Sequence, residues 1–165
     1  MIRVLIADDQ RAVREGLAML VGLTDGIEVV GTAANGVEAV QLAGELHPDV
    51  VLMDLRMPEM EGGEATRKIR AAEPDTHVLV LTTYADDDSL FPALQAGAHG
   101  YLTKDASAEE IERAIRAVAD GHTHLDPALQ QRLVATVLST KGQNPTLPDD
   151  LTTREIEVLK LIAAG

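Results

Sequence analysis

The chain has 165 residues, enough for one domain of ordinary size plus a small addition. It carries 14 Lys and Arg against 27 Asp and Glu, a formal charge of −13. That balance repels nucleic acid and anionic membranes and supplies little of the counterion release that drives DNA affinity. The absence of cysteine excludes disulfides, thiolate metal sites and cysteine nucleophiles.

The first element is the apolar run Ile2–Ala7, which begins without the charged start and cleavage site of a signal peptide. Four further strand-sized runs follow at Glu28–Ala33, Val50–Met53, His77–Thr82 and His99–Leu102. Several are near-continuous in Val, Ile and Leu, as strands covered on both faces should be. None approaches the 18 or more apolar residues that would span a bilayer. With three aromatics in all (Tyr84, Phe91 and Tyr101), the core must be aliphatic.

Between the strands lie amphipathic stretches at Arg11–Leu23, Gly36–Leu46, Gly63–Ala72, Asp87–Ala96 and Ala108–Asp120. In the last, Ile111, Ala114, Ile115 and Val118 share one face. Ser107 with Glu110 three residues on forms a capping box before it. Five strands alternating with five helices imply parallel βαβ units and a doubly wound α/β sheet.

Past Gly121 the pattern changes. A helix is expected at about 126–139, with Leu129, Leu133, Val134, Val137 and Leu138 as its apolar stripe and Pro127 in its first turn. The segment Lys141–Asp150 holds two prolines, Gly and Asn and has no periodicity, which marks a linker. A last helix should begin near Thr152 or Thr153, with Ile156, Leu159, Ile162 and Ala163 on one face. The expected division is therefore 1–121, a linker over 122–150, and a further segment at 151–165.

Doubly wound sheets bind ligands at the carboxyl ends of their strands. Asp8 and Asp9 end the first strand, Asp54 the third, Thr82 and Thr83 the fourth, and Lys104 follows the fifth. Three carboxylates at one edge repel one another unless a cation intervenes. A hard divalent ion such as Mg²⁺ suits an all-oxygen donor set. Together with the Lys104 ammonium and the Thr82 hydroxyl it would cradle a phosphoryl group, with Asp54 as nucleophile. Singly, each residue has a plainer role: Asp8-Asp9 as a solvated turn, Asp54 as a turn former, Lys104 on the surface, Thr82 closing a strand, Tyr101 half-buried. Their convergence on one edge favours the shared role. The five histidines show no metal spacing beyond the surface pair His122 and His124.

The segments Leu5-Ile6-Ala7-Asp8-Asp9, Val51 through Pro58, Leu81-Thr82-Thr83 and Gly100 through Lys104 resemble the signature segments of two-component response-regulator receiver domains. The resemblance runs from residue 1 to about 121 and implies the flavodoxin-like receiver fold, with strand order 2-1-3-4-5. It implies that a histidine kinase phosphorylates Asp54, and that Asp9, Asp54 and the Arg56 backbone carbonyl hold Mg²⁺, with Asp8 acting largely through water. Lys104 would pair with the phosphoryl group. Thr82 and Tyr101 would be the switch pair, reshaping the face of the fourth helix, fifth strand and fifth helix and promoting a homodimer. Arg56 and Tyr84 stand where the family modulates phosphoryl lifetime. Many members carry proline after the lysine; Asp105 stands here, so a cis bond would be costly.

Leu151 through Leu159 resembles the opening of the helix-turn-helix domain of the LuxR/NarL/FixJ class. The recognition helix is not reached, so DNA binding is expected only of a longer, cytoplasmic regulator. The expected protein is no enzyme beyond its own phosphorylation and dephosphorylation. A phosphatase of the haloacid dehalogenase type would want a second Asp at position 56, where Arg stands. A flavin or nucleotide binder would want a phosphate loop after the first strand, where Asp8-Asp9-Gln10-Arg11 stands. A receiver working by protein contact alone would share the chemistry and differ only in its output.

Overall fold

A computed structural model describes residues 1–82, 92–125 and 130–131. The elements in chain order are β1 (Ile2–Ala7), α1 (Arg11–Gly22), β2 (Ile27–Ala33), α2 (Gly36–Leu46), β3 (Val50–Met53), α3 (Gly62–Ala72) and β4 (His77–Thr82). Then come α4 (seen at residues 92–95), β5 (Gly100–Thr103), α5 (Ala108–Ala119) and β6 (His124–Leu125). The strands form one sheet in the order β2-β1-β3-β4-β5-β6, and every pairing is parallel.

The expected doubly wound sheet is therefore present, with one strand more than the sequence pattern indicated. Residues 124 and 125 extend it: the His124 amide donates to the His99 carbonyl at 3.0 Å, and Leu125 stands in register with Tyr101. Two residues are too short for any period-2 signal, which is why this strand was not legible. It also gives His124 a half-buried place in the sheet, whereas His122 is exposed as expected.

All four residues of β3 are buried, as their unbroken apolar run demands. One face of the sheet packs Leu5, Val51, Met53, Val78 and Val80 against α2, α3 and α4. The other packs Val4, Ile6, Leu52, Leu79 and Leu81 against α1 and α5. Ile111, Ala114, Ile115 and Val118 of α5 are the buried stripe the periodicity indicated.

The expected cap is in place too: Ser107 Oγ accepts from the Glu110 amide at 3.1 Å. Ser107→Ala should cost about 1 kcal/mol of stability, read as a lowered urea midpoint with an unchanged slope. At α2 the same task falls to Asn35, whose Oδ1 accepts from the Glu38 amide at 2.8 Å.

Residues 87–91 of the expected fourth helix, nearly all of the 126–139 helix, and residues 141–165 lie outside the described residues. Residues 130 and 131 are helical. Among the described residues there is no cis peptide, so Lys104–Asp105 is trans. No helix among them is long and apolar enough to cross a membrane.

Candidate functional site

Three strand ends bring the acidic residues together. The Asp8 amide bonds the Ala33 carbonyl of β2, and the Asp54 amide bonds the Ala7 carbonyl of β1, both at 3.0 Å. These ladder bonds tie β1, β2 and β3 at the point where their polar residues begin. Asp8 and Asp54 are buried, at 1% and 6% exposure, while Asp9 is exposed. One carboxylate oxygen from each of the three lies within 4.8 Å of the others. No other group of three or more acidic or histidine side chains converges in this way among the described residues.

Lys104 reaches over from the end of β5. Its Nζ lies 2.7 Å from Asp8 Oδ2 and 3.3 Å from Asp54 Oδ2. The ammonium thus bridges two buried carboxylates and stands closer to Asp8. The other Asp8 oxygen, Oδ1, accepts from the Gln10 amide at 2.9 Å. Asp8 therefore serves the protein with both oxygens, bonding the amide of the residue before α1 and anchoring Lys104.

The charges respond to this setting. Burial pushes the Asp54 carboxyl above the ordinary carboxylate value; the Lys104 charge opposes that shift and the Asp8 charge adds to it. The Arg56 backbone amide also bonds the Asp54 carboxylate and favours its ionised form. For Lys104, burial works downward, but the hydrogen bond to Asp8 and the two carboxylate charges outweigh it and hold the amine above its ordinary value.

The remaining expected residues are distributed as follows. Thr82 is the last residue of β4, in register with Thr103, one residue before Lys104. Thr83 and Tyr84 lie outside the described residues, and the Thr82 side chain with them. Arg56 is exposed two residues past Asp54. Tyr101 is fully buried, at 0% exposure, among the residues under α2, α3 and α4. That corrects the half-buried tyrosine expected from the residues alone. Sequence inspection missed Arg14, whose Nη1 donates to the Asp8 carbonyl at 2.8 Å. The only signal was its place one helical turn after Gln10.

The donor set is chemically uniform: carboxylate oxygens, with neither nitrogen nor sulfur ligands. Such a set fits a hard divalent cation and disfavours softer metals. An acidic cluster that could bind a metal, an adjacent ammonium and a buried carboxylate are the ingredients for accepting a phosphoryl group.

Comparison with known proteins agrees with this geometry. Residues 4–116 match the family described as the response regulator receiver domain. The chain is 46% identical to the transcriptional regulatory protein LiaR of Bacillus subtilis over 168 residues, covering 100% of this chain and 78% of the relative. It is 43% identical to the oxygen regulatory protein NreC of Staphylococcus carnosus over 169 residues, covering 99% of this chain and 78% of that protein. Among solved structures, a LuxR-family two-component response regulator from Aurantimonas superposes with a TM-score of 0.77. It is 35% identical, and the match covers 82% of this chain and 97% of that one.

Proposed function

This chain belongs to the response-regulator receiver family, in its LuxR/NarL class, and from that membership we propose that it takes a phosphoryl group on Asp54 from a histidine kinase. The observation that carries the proposal is the Lys104 ammonium shared between Asp8 and Asp54, beside the third carboxylate of Asp9. Two-component response regulators of this class are transcription regulators, and the output here would be control of transcription.

Asp54 attacks phosphorus with one carboxylate oxygen. The bond from phosphorus to the donor's imidazole nitrogen breaks, and the leaving imidazole retains the electron pair and takes up a proton. Asp9, Asp54 and the Arg56 carbonyl would hold Mg²⁺, which would supply charge neutralisation for the phosphoryl oxygens. Lys104 then turns its charge from Asp54 to the phosphoryl group, while Asp8 keeps the amine in place. Thr82 donates its hydroxyl to the same group. Hydrolysis of the acyl phosphate returns the chain to its resting state, at a pace set by what Arg56 and Tyr84 allow to approach.

The added group brings about 1.5 to 2 negative charges and three acceptors. It biases the Thr82 and Tyr101 switch, and through it the face of α4, β5 and α5. Tyr101 already lies inside the protein, so the proposed switch consists in holding it there. Phosphorylation, or beryllofluoride with Mg²⁺, should raise the mass seen by light scattering from monomer toward dimer; a mass that stays monomeric with saturated Asp54 would reject this output. DNA recognition would belong to a helix-turn-helix domain of the kind whose opening Leu151 through Leu159 resembles, and the working compartment would be the cytoplasm. Labelling by phosphoramidate in the presence of Mg²⁺, located by peptide mass spectrometry, tests the acceptor assignment.

A further inference from the structure

Two glycines meet the acceptor loop at a distance no side chain would permit. Gly62, the first residue of α3, is buried, and a Cβ there would overlap the Asp54 carbonyl oxygen and lie 2.8 Å from Leu55 Cα. Gly36, the first residue of α2, is also buried, and its Cβ would overlap the Met60 carbonyl oxygen and lie 2.8 Å from the carbonyl carbon. Neither glycine is among those with positive φ, which are Gly26, Gly97 and Gly121. The requirement at 36 and 62 is for space, not for an unusual backbone. Gly63 and Gly44, on the same two helices, have open space where a Cβ would stand.

The loop between these contacts runs from Asp54 to Met60. At its start the Gly62 amide donates to the Leu55 carbonyl at 2.8 Å. The hydroxyl of Thr66, which is fully buried, donates to the Gly62 carbonyl at 2.7 Å. Within the loop the Arg56 amide bonds the Asp54 carboxylate. We infer that Gly36 and Gly62 are positioning residues. Their bare backbones clamp the Asp54–Met60 loop at its two ends, setting the Asp54 carboxylate and the Arg56 peptide for the metal. This rests on the acceptor reading of Asp54 given above.

An alanine at 62 or 36 presses on backbone, which no rotamer change can relieve. The buried β3 cannot move, whereas Pro58, Glu59 and Glu61 are exposed, so the loop yields. Displacing supporting groups of this kind weakens metal binding by about 10- to 100-fold.

The test titrates Mg²⁺ alone, by calorimetry, into the unphosphorylated full chain. Gly62→Ala and Gly36→Ala should weaken Mg²⁺ at least about tenfold. Gly63→Ala and Gly44→Ala, the same change in open space, should bind as the wild type does. Should Gly62→Ala fail to fold, Thr66→Val removes only the hydroxyl that fixes Gly62 and should weaken Mg²⁺ by about threefold, while Thr66→Ser restores it. Wild-type affinity in folded Gly62→Ala or in Thr66→Val overturns the clamp alone. A wild-type chain that binds no Mg²⁺ overturns the acceptor reading together with the clamp.

Discussion

Asp54→Asn should eliminate the phosphoryl adduct entirely, because neither of the other two carboxylates in the cluster is placed to take over. Asp8 is committed through Oδ1 to the Gln10 amide and through Oδ2 to Lys104, and Asp9 is exposed to water. The adduct on the wild type should survive acid and be lost in base, as an acyl phosphate is. Labelling that persists at full yield in Asp54→Asn would reject the assignment. The same variant has a second, independent signature in stability. Burial raises the Asp54 carboxyl, so the folded chain binds this proton more tightly than the unfolded chain does. The folded state then holds the greater number of protons between the ordinary carboxylate pKa, about 3.9, and the raised value. Stability from this group is fully present below that window and falls as pH rises through it. Without Mg²⁺, Asp54→Asn should therefore be more stable than the wild type at pH 7, and the difference should close as pH is lowered through the window. Urea midpoints across the pH series measure it.

Lys104→Met should produce the largest loss of stability among the site variants. The ammonium is shielded, with a side-chain exposure of 15%, and both carboxylates it touches are buried. Removing one partner from a buried ion pair costs about 3 to 5 kcal/mol, because the remaining charge stays in place without compensation. Partial access from the site mouth sets the expectation here at about 3 kcal/mol at pH 7. Two observations separate this electrostatic account from simple loss of packing. Mg²⁺ should bind Lys104→Met more tightly than the wild type and so, at one fixed concentration, return more stability to the variant, since the ion replaces the missing positive charge. Adding Asp54→Asn to Lys104→Met should restore stability beyond the sum of the two single effects, because the two groups are in contact. Additive effects, or indifference to Mg²⁺, would show that Lys104 contributes only its aliphatic stem. Phosphoryl acceptance should fall by about 10²- to 10³-fold, the usual cost of deleting one preorganised charge donor.

Much of this was legible in the residues. The unbroken Val50–Met53 run announced a strand covered on both faces, and the spacing of Ile111, Ala114, Ile115 and Val118 announced the buried stripe of α5. Ser107 and Glu110 marked the start of that helix to the residue. The acidic residues and Lys104 could be placed on one edge because a parallel sheet directs every strand end the same way. Distances could not be read from a sequence. That Lys104 sits nearer Asp8 than Asp54 depends on how its side chain crosses the sheet edge from the end of β5. Tyr101 was expected half-buried as an ordinary strand tyrosine, yet it packs in one buried cluster with Ala93 and Leu94 of α4. The requirement for glycine at 36 and 62 arises from where the chain folds back, Gly36 against Met60 and Gly62 against Asp54 and Leu55, and composition carries no trace of these contacts.

The two residues of β6 alter what the sheet presents to its surroundings. Without them β5 would be a border strand, with a row of amide and carbonyl groups open to any extended peptide. With them, the chain's own continuation occupies part of that row, beside His99 and Tyr101. Short borders of this kind are poor templates for strand-to-strand accretion. A second copy approaching on this side, as the proposed dimer would, meets helix surfaces rather than an open strand border.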